Sequence, residues 1–179
     1  MKTLIIQTSP THTASTLLVN ALYGLIPELN DKKIIGEWVE NWQKKFEAHF
    51  KDVIVLKSHV LNIDNLIKKY SKKYDLYFVC SERAEKKYFI NTKYKSYKRV
   101  MVFDFEELNE SETNTVDKIV ENIHNKINSV LNIELNIENG INRVNAMNKR
   151  YEEIKEEPFT FIDDFYEIHG SHRNRKNKQ

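Results

Sequence analysis

The amino-acid sequence predicts an α/β protein, a three-layer open sheet of about four to five mostly parallel strands flanked by helices. Two observations support this fold class. Four short apolar runs are continuous rather than alternating, which is typical of strands that helices cover on both faces. Between and after these runs, apolar residues recur at the spacing of an amphipathic helix. The alternation of strands with helices favours a parallel sheet.

The predicted strands span residues 3–8, 53–57, 76–80 and 100–104, and the predicted helices carry apolar stripes within 17–26, 38–50, 116–131 and 141–154. A chain of 179 residues fits one such domain. We expect a single domain over residues 1–168, followed by a polar and basic C-terminal tail over 169–179.

The positive and negative side chains of the sequence are nearly equal in number, which limits the kinds of partner that charge alone would attract. The net charge of +2 gives no basis for long-range attraction to nucleic acid or to a membrane surface. The single cysteine, Cys80, has no partner for an internal disulfide, and the first residues lack the apolar run and cleavage site of a secretory signal. No segment approaches the ~20 apolar residues of a membrane-spanning helix. We therefore expect a soluble, cytoplasmic protein without a membrane or nucleic-acid partner.

Polar side chains follow the predicted strands where each strand ends. The four strand ends are followed by "TSPTHTAS", "KSH", "CSER" and "DFEEL". In open α/β sheets, ligands bind at the carboxyl ends of the strands, because the loops converge there and helix N-termini point at the crevice. The sequence therefore predicts a binding site at this edge of the sheet.

The first strand end suits an anion. A helix that starts near Ser15 leaves backbone N–H groups and the positive end of its dipole free for a phosphate or sulfate. The hydroxyls of Thr13, Ser15 and Thr16 can donate to such an anion, and capping of the helix explains them equally well. The loop is not a Walker A motif, because no Gly or Lys lies between Ile6 and Val19.

The second and third strand ends carry cationic side chains. Lys57 and His59 are two apart, so we expect them to share a face at the end of their strand. A histidine there can take a proton from a hydroxyl while the lysine holds developing negative charge, although a solvated strand end carries the same residues. Arg83 offers a planar fork of donors for a phosphate, or a partner for Glu82 or Glu85.

Together these residues resemble the sulfotransferases that use 3′-phosphoadenosine 5′-phosphosulfate, over roughly the first hundred residues of the chain. The stretch "SPTHTASTLL" is similar to the family's first loop, with His12 where Lys or Arg is usual and Ala14 where Gly is usual. The "KSH" that ends at His59 resembles the family's Lys-Thr-His motif. Arg83 matches the family's arginine after the third strand, and Asn91 occupies the approximate place of a serine.

The resemblance implies a P-loop NTPase-like fold, transfer of a sulfuryl group to a small-molecule or glycan acceptor, and no metal. His59 would be the general base, and Lys57 would contact the sulfuryl group. The implied donor-binding residues come from the first loop, the third strand end and the tail: Thr11, His12, Thr13, Ala14, Ser15, Thr16, Arg83, Asn91, Arg173 and Arg175. The basic tail would fold back over the crevice toward the phosphates, while a solvated basic tail is the alternative.

Two other functions are compatible with the same residues. The departures at His12 and Ala14 favour a non-catalytic relative that binds a nucleotide or another anion. The interleaved Lys and Tyr residues of 86–99, together with the tail, are compatible with RNA binding, although a solvated helix face explains them better. The carboxylates of "DFEEL" are more typical of a helix N-terminus than of a cation site.

Overall fold

The computed structural model describes residues 1–85, 89–154, 157 and 162–169. Five parallel strands form one sheet in the order β2-β3-β1-β4-β5, so β1 lies between β3 and β4. The strands are β1 (Thr3–Thr8), β2 (Ile35–Gly36), β3 (Val53–Ser58), β4 (Asp75–Glu82) and β5 (Val100–Asp104). A separate antiparallel hairpin pairs β6 (Ile162–Asp163) with β7 (Ile168–His169).

Helices flank the sheet, which confirms the predicted three-layer α/β architecture. They are α1 (Ser15–Leu25), α2 (Trp42–Phe46), α3 (Ile63–Tyr70), α4 (Thr92–Lys95), α5 (Phe105–Leu108), α6 (Val116–Asn128) and α7 (Ile137–Glu153). Two 3₁₀ turns, Pro27–Leu29 and Glu47–His49, follow α1 and α2. Helices α1, α6 and α7 pack against one another. Among the described residues, no helix has the length and apolar character to cross a membrane.

The central strand shows why the apolar runs fold as they do. Leu4, Ile5 and Ile6 are all fully buried, although alternate side chains of a strand point to opposite faces. Only a strand covered on both faces can bury such a run. Helix α6 buries residues on one stripe, including Ile119, Ile123 and Ile127, as its helical spacing predicts.

Two glycines let α1 and α7 approach closely. A Cβ added at Gly24 would lie 2.7 Å from the Cα of Gly140 and 2.8 Å from the carbonyl oxygen of Asn139. Both are backbone atoms, so no side-chain rotation relieves the contact. The crossing therefore depends on the missing side chain at Gly24.

The four predicted strands are present, and the differences from prediction concern short elements. Strand β2 is too short to leave a pattern in the sequence. The stripe expected over residues 38–50 is helical only in α2 and the 3₁₀ turn after it, so the prediction of one long helix was wrong. Asn41 takes a left-handed conformation with φ 57°, which prevents a helix from continuing through it.

Candidate functional site

The loop between β1 and α1 has the backbone of an anion cradle. His12 and Ala14 both have left-handed φ values, 72° and 59°. Left-handed residues in a turn orient successive N–H groups into a concave surface that suits anions. Ala14 is the N-cap of α1 without a side-chain hydrogen bond, so the alternative that the hydroxyls of Thr13, Ser15 and Thr16 cap the helix was wrong. Within the described part of the chain, no acceptor is bonded to the backbone N–H groups of residues 15–17.

A buried hydroxyl network holds this loop on the sheet. Thr13 Oγ1 donates to the Pro10 carbonyl at 2.7 Å and lies 3.0 Å from Ser81 Oγ on β4. Ser9 Oγ accepts from the Ser81 N–H at 2.8 Å and from Gln7 Nε2 at 2.7 Å. Thr13 is fully buried in these contacts, so its side chain sets the loop's shape and is committed to hydrogen bonds within the protein.

Lys57 reaches the first turn of α1 from the β3 side. Its side chain is only 2% exposed, and its Nζ donates to Thr16 Oγ1, in the first turn of α1, at 3.3 Å. The carboxylate oxygen Oε1 of Glu167 lies 3.9 Å from this Nζ. Burial lowers the pKa of Lys57 from 10.5 to about 8, against a smaller rise caused by the charge of Glu167.

His59 directly follows β3, lies beside the start of the β1–α1 loop and is exposed to solvent. Its Nδ1 is 3.1 Å from the carbonyl oxygen of Ser9. Because a carbonyl only accepts, Nδ1 carries the proton, and the neutral ring has its free lone pair on Nε2. The indole of Trp38 stacks on the imidazole, with centroids 6.1 Å apart and planes inclined by 9°. A Cβ at Gly36 would meet this indole at 2.2 Å, so Gly36 makes room for it.

Arg83 approaches the loop from the β4 side. Its Nη1 donates to the carbonyl of His12 at 3.4 Å, and its guanidinium lies 3.9 Å from the centroid of the Phe105 ring. The two strands that flank β1 therefore supply three cationic or potentially cationic side chains here. His59 and Arg83 contact the loop itself, and Lys57 contacts the first turn of α1.

A cavity of about 330 Å³ opens beside the loop. Residues of the loop and of the first turn of α1 form one side of it, and Phe105, Met147, Tyr151 and Ile168 contribute an apolar wall. The size and mixed lining are those of a small-ligand pocket.

The β6–β7 hairpin covers this edge of the molecule. The Asn20 amide donates to the carbonyl of Tyr166 at 2.8 Å, and Arg143 donates to that of Phe165 at 3.1 Å. Arg143 is buried, with 3% of the residue exposed. Its guanidinium also donates to the carbonyls of Asn30 and Lys32. Part of the C-terminal segment is thus docked on α1 and α7.

The remaining predicted site residues make no contact described above with the loop or its cations. Asn91 caps α4, where its side chain accepts from the Lys93 N–H at 3.1 Å. Thr11 is an exposed residue of the loop. Arg173 and Arg175 lie outside the described residues. Of the carboxylates after β5, Glu107 accepts from the Asp104 N–H at 3.0 Å, which is the helix-end interaction that the sequence favoured over a cation site.

Sequence reasoning missed three residues of this region. Trp38 was assigned to a helical core stripe, whereas it is 52% exposed beside His59. Glu167 was not singled out, because nothing in its local sequence connects it with a lysine more than a hundred residues earlier. Phe105 was quoted only within a run of carboxylates, and no pattern marks it as a partner of Arg83.

No family model matches the chain, and no curated protein sequence matches it. The geometry and the motif resemblance therefore carry the functional argument.

Proposed function

We propose that this protein transfers a sulfuryl group from 3′-phosphoadenosine 5′-phosphosulfate to a hydroxyl or amine acceptor. One observation carries the proposal: Lys57 on β3 contacts the first turn of α1, and Arg83 at the end of β4 contacts the loop that precedes this turn. Two cations and the unpaired N–H groups of a helix N-terminus suit a ligand with several negative charges.

The donor fits the residues around this loop. The N–H groups of the first turn and Lys57 would hold its 5′-phosphosulfate end, and Arg83 would hold a further phosphate. The apolar wall beside Phe105 offers contact area for the nucleoside. The left-handed φ of Ala14 also supports the resemblance, because the family usually has Gly at this position and Gly adopts that conformation without strain.

The donor supplies an activated sulfuryl group, and the chain supplies proton transfer and charge. His59 accepts the acceptor's proton on Nε2 while its Nδ1–H remains bonded to Ser9. Lys57 and the loop N–H groups stabilise negative charge on the sulfuryl oxygens. The acceptor would approach from the side of Trp38, whose ring is exposed next to the imidazole.

His59→Ala is the test of this scheme. We expect a loss of sulfuryl transfer of about 100-fold or more, because a positioned general base contributes about 10²–10⁴ in rate. The affinity for adenosine 3′,5′-bisphosphate, measured by calorimetry, should remain within about threefold of the original, a difference well under 1.4 kcal/mol.

The matched control is His49→Ala, which alters an exposed histidine in the segment that leads to the amino end of β3. Transfer from ³⁵S-labelled donor should be unchanged in this variant. Full turnover in His59→Ala would exclude His59 as the base.

A non-catalytic anion-binding protein is the second candidate. The carboxylate of Glu167 beside Lys57 favours it, since negative charge at that point opposes a bound sulfuryl group. Bisphosphate binding without turnover, over a panel of phenol, alcohol, amine and glycan acceptors, would support this candidate against the transferase.

RNA binding loses several of its candidate contacts in the described part of the Lys/Tyr stretch. Lys93 pairs with Asp64, and Lys95 pairs with the buried carboxylate of Glu82. Tyr94 is buried, so its ring is not available for a base to stack on.

A further inference from the structure

The side chain of Lys57 brings positive charge to a place that is already positive. Its Nζ contacts Thr16 in the first turn of α1, where the helix dipole concentrates partial positive charge. The ammonium is also almost completely buried. A buried cation at a helix N-terminus needs an anion close by.

Glu167 supplies that negative charge only loosely. Its Oε1 lies 3.9 Å from Lys57 Nζ, which is too long for a hydrogen bond, so the carboxylate acts on the ammonium through charge alone. The Glu167 side chain is 12% exposed, so the carboxylate itself gives up most of its contact with water at this place. The backbone of Glu167 is left-handed with φ 54°, a conformation that is uncommon for a residue other than Gly.

The hairpin is anchored by residues before Glu167. The carbonyls of Phe165 and Tyr166 are bonded to Arg143 and Asn20, so the hairpin stays docked when the Glu167 side chain changes rotamer. The docking of the hairpin therefore does not depend on the Glu167 carboxylate lying beside Lys57.

We infer that Glu167 is a built-in competitor for the anion site, whose carboxylate neutralises Lys57 in the empty protein and is displaced when an anion binds to the loop. The inference rests on the proposed function only for the identity of that anion. It makes Glu167 a regulator of the site, since any event that moves this side chain away from Lys57 raises anion affinity.

Glu167→Gln tests the inference, because it removes the charge and keeps the shape. We expect adenosine 3′,5′-bisphosphate and inorganic sulfate, each titrated by calorimetry, to bind about tenfold more tightly than to the unaltered protein, since a like charge at this range costs on the order of 1.4 kcal/mol after screening. The matched control is Asp164→Asn, which removes a carboxylate of the same hairpin that lies 3.8 Å from Lys33.

Tighter binding in Glu167→Gln with unchanged affinity in Asp164→Asn supports the inference. Equal or weaker binding in Glu167→Gln overturns it, and so does equal tightening in both variants, which would reflect net charge alone. Absence of binding in all three proteins also overturns it. A failure of sulfuryl transfer is a separate result: it removes the transferase proposal and leaves the anion affinities as the measure of this inference.

Discussion

Lys57 is a residue whose burial costs stability. Its pKa is about 8 in the folded protein and 10.5 ordinarily, a difference equivalent to about 3 kcal/mol at 1.36 kcal/mol for each pKa unit. Below pH 8 the side chain is charged in both the folded and the unfolded state, so the full cost is present. Between pH 8 and 10.5 the folded protein loses the proton while the unfolded chain keeps it, and the contribution to stability rises with pH.

Lys57→Met should therefore raise the free energy of unfolding at pH 7, by about 1–3 kcal/mol, and by less at pH 10. Urea unfolding at the two pH values measures both changes. The control is Lys68→Met, which removes an exposed lysine of α3 and should have the same small effect at each pH. A pH-independent loss of stability in Lys57→Met would contradict the assigned burial cost. Lys57→Met should also lose anion affinity. Lys57 therefore lowers the stability of the fold and contributes to binding.

The residues of the site were predictable to different degrees. Three cationic or potentially cationic residues lie at the ends of apolar strands or just after them: Lys57, His59 and Arg83. The convergence of strand ends was enough to group them. The roles of Thr13 and of the helix cap were not predictable, because they depend on which side of the loop faces β4. Glu167 was beyond reach for the same reason, since its position follows from how the hairpin packs on α1 and α7.

The crossing of helices α1 and α7 depends on Gly24. Alanine in place of a helical glycine normally gains about 0.5–1 kcal/mol through backbone entropy. The added methyl, however, would lie 2.7 Å from a backbone atom that cannot rotate away. Overpacking of this kind costs about 1–3 kcal/mol, so the clash outweighs the gain.

We expect Gly24→Ala to lower the free energy of unfolding by about 1–2 kcal/mol in urea titrations, after the entropy gain is subtracted. Asn142→Ala, at an exposed position of α7, is the control and should change stability by less than about 0.5 kcal/mol. Stabilisation in Gly24→Ala would show that the helices can separate at little cost.

Long elements followed from the sequence, and short ones did not. Strand β1 and helix α6 have patterns long enough to fix both type and position. Strand β2, with Ile35 and Gly36 alone, has no pattern to read. The 38–50 stripe had helical spacing, but the left-handed Asn41 divides it and frees Trp38 to lie next to His59.

Arg143 joins four parts of the chain: its own helix α7, helix α1, the loop after α1 and the β6–β7 hairpin. It donates to Asn20 on α1, to the loop carbonyls of Asn30 and Lys32, and to Phe165 in the hairpin. Burial lowers its pKa from 12.5 to about 10, so it stays charged at neutral pH. Its removal leaves the buried side-chain oxygen of Asn20 and three partly buried carbonyls without this donor.

Arg143→Met should lower the free energy of unfolding by about 3 kcal/mol or more, because each unsatisfied buried acceptor costs about 1–3 kcal/mol. Hydrogen exchange of the β6–β7 backbone should accelerate more than exchange of the central sheet, since the hairpin loses its main anchor. Arg99→Met, which breaks the exposed pair with Asp75, is the control and should cost less than about 1 kcal/mol. Hairpin exchange rates in Arg143→Met that equal those of the unaltered protein would contradict this role for Arg143.

The strand order also has a kinetic consequence. Thr3 at the start of β1 pairs with Val53 on one side and with Asp75 on the other, so neither neighbour of the central strand is local in sequence. Closing such long loops is slow, because the chain loses entropy before the distant contacts form. The turn after β1 gains its shape only when both neighbours have arrived, and binding competence should therefore appear late in refolding, together with the native sheet.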